Sequence, residues 1–121
     1  MSLSSYRQLE AWQRAIELGV AAYAVAKMLP LCERFELSSQ IRRAAVSIAA
    51  NIAEGYGLRG RGAYLQRLGS SRGSLHELET HLHFCVVLGY CSMEDTRRST
   101  LLCHRVGKLL KRLIDSLGGD L

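Results

Sequence analysis

One proline, one tryptophan and two phenylalanines are all that 121 residues hold of those types, and each shortage excludes something. With Pro30 alone, the turn punctuation of an all-β sandwich or barrel is missing, and runs rich in β-branched residues are few. No apolar run reaches the roughly 18 residues that a membrane span needs. The opening stretch MSLSSYRQLEAWQR has neither a basic start nor an apolar h-region, so no export leader is expected and the cytoplasm is the expected compartment. The cysteines Cys32, Cys85, Cys91 and Cys103 form no CxxC pair. They read as reduced thiols, neither a disulfide frame nor a zinc site. No zinc finger, RNP motif or helix-turn-helix cue is present, and aromatics available for base stacking are scarce, which disfavours a sequence-specific reader of nucleic acid.

What is present suffices for one domain spanning residues 1–121, since 48% of the residues are apolar. The net charge of +5 is unevenly spread. Residues 1–37 balance four bases against four acids, whereas 38–75 carry six arginines against Glu54 alone. Residues 76–95 reverse the sign with four acids and no Lys or Arg; residues 96–121 return six bases against Asp115 and Asp120. A surface charged in this way attracts polyanions.

Periodicity predicts four helices, over about residues 5–29, 38–55, 62–88 and 93–117. In the first, Leu9, Trp12, Ile16, Gly19, Tyr23 and Ala26 form one stripe, and Leu18, Ala22, Val25 and Leu29 a second beside it. Pro30 ends it, because the residue before a proline resists the α conformation. The second helix opens at Ser38 or Ser39, either able to cap, with Ile41, Ala45, Ile48 and Ile52 as its core stripe and Gly55 and Gly57 as its stop. Its alanines leave room for a neighbouring backbone to come close. The stretch LGSSRGS (68–74) resembles a loop, yet Leu68, Ser71, Leu75, Leu78, Leu82 and Cys85 hold their phase through it, so a continuous helix is expected. Gly69 and Gly73 would then each cost about 1 kcal/mol, to be offset by close approach of another helix. Ser92-Met-Glu-Asp95 has the form of a capping box for the fourth helix, whose core is Leu102, Val106, Leu109 and Leu113, widened by Cys103, Leu110 and Leu117. Short connections favour an antiparallel up-down-up-down four-helix bundle. The surplus apolar stripes on helices one and four point to self-association.

The blocks LEAWQRAIEL, LSSQIRRAAVSIAANIAEGYG and GSLHELETHLHFCVVLGY, in that order and spacing, closely resemble the four-helix-bundle proteins encoded in intervening sequences of bacterial 23S ribosomal RNA genes. The resemblance covers nearly the whole chain and implies a homopentamer of antiparallel bundles, with no defined biochemical role. More distantly the chain resembles the basic accessory protein of diversity-generating retroelements, which implies a pentamer partnering a reverse transcriptase and nucleic acid. Two positions depart from the family pattern. Ala49 replaces a usual proline, and LRGRGAYLQR makes the entry to helix three richer in glycine and more basic.

Several constellations invite chemistry. Gly55-Tyr-Gly57-Leu-Arg-Gly60 matches GxGxxG, but the dinucleotide fingerprint needs a preceding strand, and here a helix precedes. Arg59 and Arg61 among those glycines could meet phosphate, or could serve solubility alone. Arg43, Ser47, Asn51 and Glu54 form a polar line, with Glu54 at the end of the helix that the dipole makes unfavourable for an anion. Without a second carboxylate nearby it reads as an ion-pair partner, of Arg42, Arg43 or Arg72, rather than a catalytic acid. His76, Glu79 and His83 share a face, yet no Glu-x-x-His motif occurs, so neither metal nor cofactor is expected. Glu77 with His81, and Glu79 with His83, read as i,i+4 pairs. On helix four, Arg98, Arg105 and Arg112 recur every seven residues, with Arg97, His104, Lys108 and Lys111 on the outer face.

These features favour a non-enzymatic, self-associating bundle that binds RNA or DNA, or an RNA-protein complex, without strong sequence readout. Arg42, Arg43, Arg59, Arg61, Arg97, Arg105, Lys108, Lys111 and Arg112 are the candidate contacts. Asn51, Glu54, Arg72, Glu77 and Glu79 are structural polar residues. The alternative is a scaffold docking a partner protein, such as one that processes nucleic acid.

Overall fold

The computed structural model describes residues 5–119, and among them every regular element is helical. Four α-helices follow one another: α1 Glu10–Met28, α2 Leu37–Gly57, α3 Arg61–Val87 and α4 Arg97–Ser116. Short 3₁₀ turns at Tyr6–Gln8 and Leu31–Glu33 precede α1 and α2. No helix among the described residues is long and apolar enough to cross a membrane.

One core joins all four helices. α1 contributes Ala11, Ala15, Leu18, Ala22, Val25 and Leu29, and α2 contributes Ile41, Ala45, Ile48 and Ile52. Leu68, Leu75, Leu78, Leu82 and Cys85 enter from α3, and Cys103, Val106, Leu109, Leu110 and Ile114 from α4. α1 packs on α2 and α4, and α3 packs on α2 and, less extensively, on α4. In α1 the second stripe faces the core, extended backwards by two alanines. Of the other stripe, Ile16 and Tyr23 are turned outward, while Ala26 is buried and Leu9 and Trp12 pack against the core edge. The periodicity was real, but two stripes on one helix cannot both face a single core, and the one with smaller side chains lies against the neighbours.

The α2–α3 contact is the closest-fitting one. Moving forward along α2, its partners move back along α3: Ser47 Oγ lies 2.8 Å from Ser74 Oγ, and the fully buried Ser71 hydroxyl donates to the Ile48 carbonyl at 2.8 Å. Near the end of α2, Gly55 is buried under α3, where an added Cβ would stand 2.9 Å from Arg67 Cβ and 3.0 Å from Tyr64 Cδ1. Gly55 is therefore not a helix stop but a close-approach residue; the helix ends at Gly57.

Several local expectations are corrected. Leu9 is extended (ψ 125°), so α1 begins at Glu10 rather than near residue 5. Neither Ser38 nor Ser39 caps α2; the Ser38 hydroxyl donates to the Ala26 carbonyl at 3.3 Å, and Glu33 Oε1 receives the Leu37 N–H. α3 runs unbroken through residues 68–74, but Gly73 is exposed and its missing Cβ faces open space, so helix packing within the protomer does not offset its cost. Ser92 and Asp95 exchange reciprocal hydrogen bonds of 3.0 and 2.9 Å, yet they close a separate turn, and α4 starts only at Arg97. Cys103 and Leu110 of α4 are spent within the protomer core, while Leu101 points outward.

Two glycines give opposite expectations. Gly55→Ala gains helix propensity of about 1 kcal/mol but overpacks a contact that costs ~1–3 kcal/mol. The expected outcome is a lower Tm by roughly 4–8 °C. Gly73→Ala meets nothing and should raise Tm by a few degrees. Thermal unfolding followed by circular dichroism measures both.

Candidate nucleic-acid interface

The bases expected to act together are regrouped by the fold. Arg61, the first residue of α3, reaches the end of α4, where Nη1 donates to the Leu117 carbonyl at 2.6 Å. A cation at a helix C-terminus satisfies an otherwise orphaned carbonyl and the negative end of the dipole. Gly118, at φ +73°, stops α4 there and Gly119 folds over Leu65, which keeps the two helix ends together. The exposed Arg59 lies two residues from Arg61, and Lys108, Lys111 and Arg112 occupy the exposed side of the last turns of α4. The start of α3 and the end of α4, 56 residues apart in the chain, thus meet at one end of the molecule. Tyr56 and Tyr64 stack edge to face beside it, ring centroids 6.2 Å apart. Burial, then the neighbouring Tyr56, push the Tyr64 phenol pKa above its ordinary value.

The cations differ in what already occupies them. Arg105 pairs with Glu10 of α1 at 2.5 Å, Lys111 with Asp115 at 3.1 Å, and Arg97 with Glu94 at 3.7 Å. Such exposed pairs stabilise little, about 0–1 kcal/mol. They do, however, lower the positive field offered to a ligand. Arg43, Arg59, Lys108 and Arg112 enter none of the ion pairs among the described residues. Arg97 stands at the opposite end of α4 from Arg112, and Arg42 and Arg43 belong to the early turns of α2, so these three do not join the Arg59–Arg61 cluster.

The polar residues also find different partners. Glu54 meets Arg67 of α3 at 3.4 Å, not Arg42, Arg43 or Arg72. The close α2–α3 approach at Gly55 brings those two side chains opposite each other. Asn51 Nδ2 donates to the Ser47 carbonyl and Oγ at 2.9 and 3.0 Å, tying the polar line of α2 together. Arg72 is half-buried on α3. Glu77 acts on His81, but burial outweighs it and leaves the imidazole pKa below the ordinary 6.5. Glu79 and His83 instead line an open groove between α3 and α4, with Leu82, Val86, Met93 and Leu101. Among the described residues, no three of His, Cys, Asp and Glu converge as metal ligands. Cys85 and Cys103 are pushed up to about 11 and about 12 by burial, so both are neutral thiols; Cys32 alone is exposed.

Periodicity put Tyr23 on one of two stripes of α1 without deciding which of them faces the core; Tyr23 is 41% exposed on the outer side of α1.

The fold and this surface define a small protein whose described regular elements are all helical, with a cation of α3 seated at the end of α4. The match to the model of the 23S rRNA-intervening sequence protein family covers residues 7–112, and the chain belongs to that family. A solved structure of a protein of unknown function from the S23 ribosomal protein family of Bacteroides thetaiotaomicron is similar, with 25% sequence identity and a TM-score of 0.77. The likeness covers 86% of this chain and 97% of that one. No curated protein matches.

Two measurements test the site description. A thiol reagent should titrate Cys32 rapidly in the native protein and the three buried cysteines only on unfolding. Because the folded His81 pKa is lowered, the unfolded chain takes up its proton first as pH falls through about 6.5, so stability should decline on acidification. His81→Gln should flatten that decline between about pH 7 and 5, read by urea midpoints.

Proposed function

We propose that this protein is a non-enzymatic, cytoplasmic four-helix bundle of up-down-up-down course that binds nucleic acid through phosphate contacts. RNA, alone or in a complex with protein, is the favoured ligand. The observation that carries this reading is the meeting of Arg61, two residues from the exposed Arg59, with the end of α4, a helix whose Lys108 and Arg112 lack carboxylate partners among the described ion pairs. Phosphate contacts of this kind position a strand without reading its sequence. The family name, drawn from intervening sequences of 23S rRNA genes, is consistent with a nucleic-acid setting.

Self-association, as a pentamer by family resemblance, completes the proposal. Ile16 and Val20 on α1, and Phe84, Val87 and Leu101 on α3 and α4, are exposed apolar side chains on two different surfaces, as a head-to-tail ring requires. Repetition around a ring would multiply weak phosphate contacts. The second reading is a scaffold for a partner protein, favoured by the groove of about 580 Å³ between α3 and α4 with Leu82, Val86, Met93 and Leu101 in its lining.

The deciding experiment is binding of a generic RNA across a salt series. Log affinity should fall with log salt by about 0.7 per phosphate neutralised on a single strand. Reversing Arg59, Lys108 and Arg112 to glutamate should remove about three such contacts while light-scattering mass stays constant. Arg105 is spared because its loss would strand Glu10. Absence of binding at about 50 mM salt defeats the nucleic-acid reading. Loss of a protein partner rather than RNA in the variant favours the scaffold.

A further inference from the structure

A second cationic place lies away from the cluster just described, about 20 Å along α2 from Arg59. Between α1 and the first turns of α2 is an open cleft of about 390 Å³, lined by Tyr23, Ser39, Arg42, Arg43, Val46 and Ser47. That volume falls within the lower range of small-ligand sites. The lining combines an aromatic ring, an aliphatic side chain, two guanidinium groups and two hydroxyls, and contains no carboxylate. Tyr23 and Val46 are 41% and 53% exposed, so both present apolar surface to whatever enters.

The cleft is held in shape by contacts that leave its charge intact. Arg42 Nη2 donates to the Arg34 carbonyl at 3.3 Å, which fixes the guanidinium without neutralising it. Arg43 takes part in none of the ion pairs among the described residues. Ser47 Oγ is held by Ser74 of α3 at 2.8 Å and by Asn51 Nδ2 at 3.0 Å. One wall is thereby anchored to the tightly packed α2–α3 pair.

A flat ring beside an aliphatic side chain accepts the face of a nucleobase, whatever the base, and paired guanidinium groups accept a phosphate. A duplex keeps its bases stacked and cannot offer one to such a cleft. We infer that the cleft between α1 and α2 seats one nucleotide of a single-stranded nucleic acid, its base on Tyr23 and Val46 and its phosphate at Arg42 and Arg43. This inference rests on the nucleic-acid reading above and adds strandedness and a base contact to it.

The test compares, by fluorescence anisotropy, an oligouridylate of about 12 nucleotides, an abasic strand of equal length, and a duplex. The oligouridylate should bind tightest. Tyr23→Ala should weaken it by roughly 5- to 150-fold and leave the abasic strand unchanged, whereas Tyr23→Phe should retain it. Arg43→Ala should lower the salt slope by about 0.7 on both strands. Equal binding of oligouridylate and abasic strand, or indifference of both to Tyr23→Ala, overturns the nucleotide seat while leaving phosphate binding in place. A change of light-scattering mass in Tyr23→Ala would assign the cleft to a second copy of the chain and overturn it too. If no strand binds at about 50 mM salt, the broader nucleic-acid reading falls with it.

Discussion

Close approach of α2 and α3 is the constraint on which the remaining geometry depends. The buried Ser71 of α3, bonded to the Ile48 carbonyl, and Gly55 of α2 with its missing Cβ under Tyr64 and Arg67 let the two backbones lie near each other. Dispersion contacts and apolar burial gained along such a seam accumulate with every turn. Only small side chains permit this, because a single added methyl at Gly55 would meet carbon at 2.9 Å. The serines enclosed by the seam are matched, Ser71 to the Ile48 carbonyl and Ser47 to Ser74 and Asn51, whereas the buried Tyr64 hydroxyl finds no partner among the described residues. Unmatched, each would cost about 1–3 kcal/mol.

That seam also orders the surface. It sets Glu54 against Arg67 and thereby removes the one acid in a basic stretch from competition with Arg59 and Arg61. It holds the early part of α2 in place, so the cleft containing Arg42 and Arg43 has a firm wall. The opposite side of the molecule is packed less closely. There α3 and α4 part enough to leave a groove, and its lining contains both acids and bases. Tight packing and open surface are thus distributed unequally among the four helices.

Helix existence and core membership were legible from periodicity for a physical reason: burial on one side of a 3.6-residue repeat leaves a trace at every third or fourth position. The phase of Leu68, Ser71, Leu75, Leu78 and Leu82 outweighed the loop-like punctuation of residues 68–74, because continuous burial constrains more positions than two glycines can disturb. Caps were less legible. Ser38 and Ser39 had the right chemistry, but a hydroxyl near a helix start has several acceptors within reach, and the end of α1 supplied one at Ala26. The candidate site was read residue by residue as a set of bases. Pairs such as Arg97 with Glu94 and Lys111 with Asp115 are three or four residues apart, but the pairing of Arg105 with Glu10 of α1 depended on helix rotation and register.

Composition and pattern by themselves determined an all-helical chain, the apolar positions of each helix, the alternation of charge along its length and the resemblance to its family. Only the tertiary structure decided which stripe of α1 faces inward, that Gly55 serves contact rather than termination, that Arg61 closes on the end of α4, and that Tyr23 shares a cleft with two arginines. The first group follows from interactions within a few residues along the chain. The second follows from how helices rotate and approach one another, and those choices are made by packing among residues far apart in sequence.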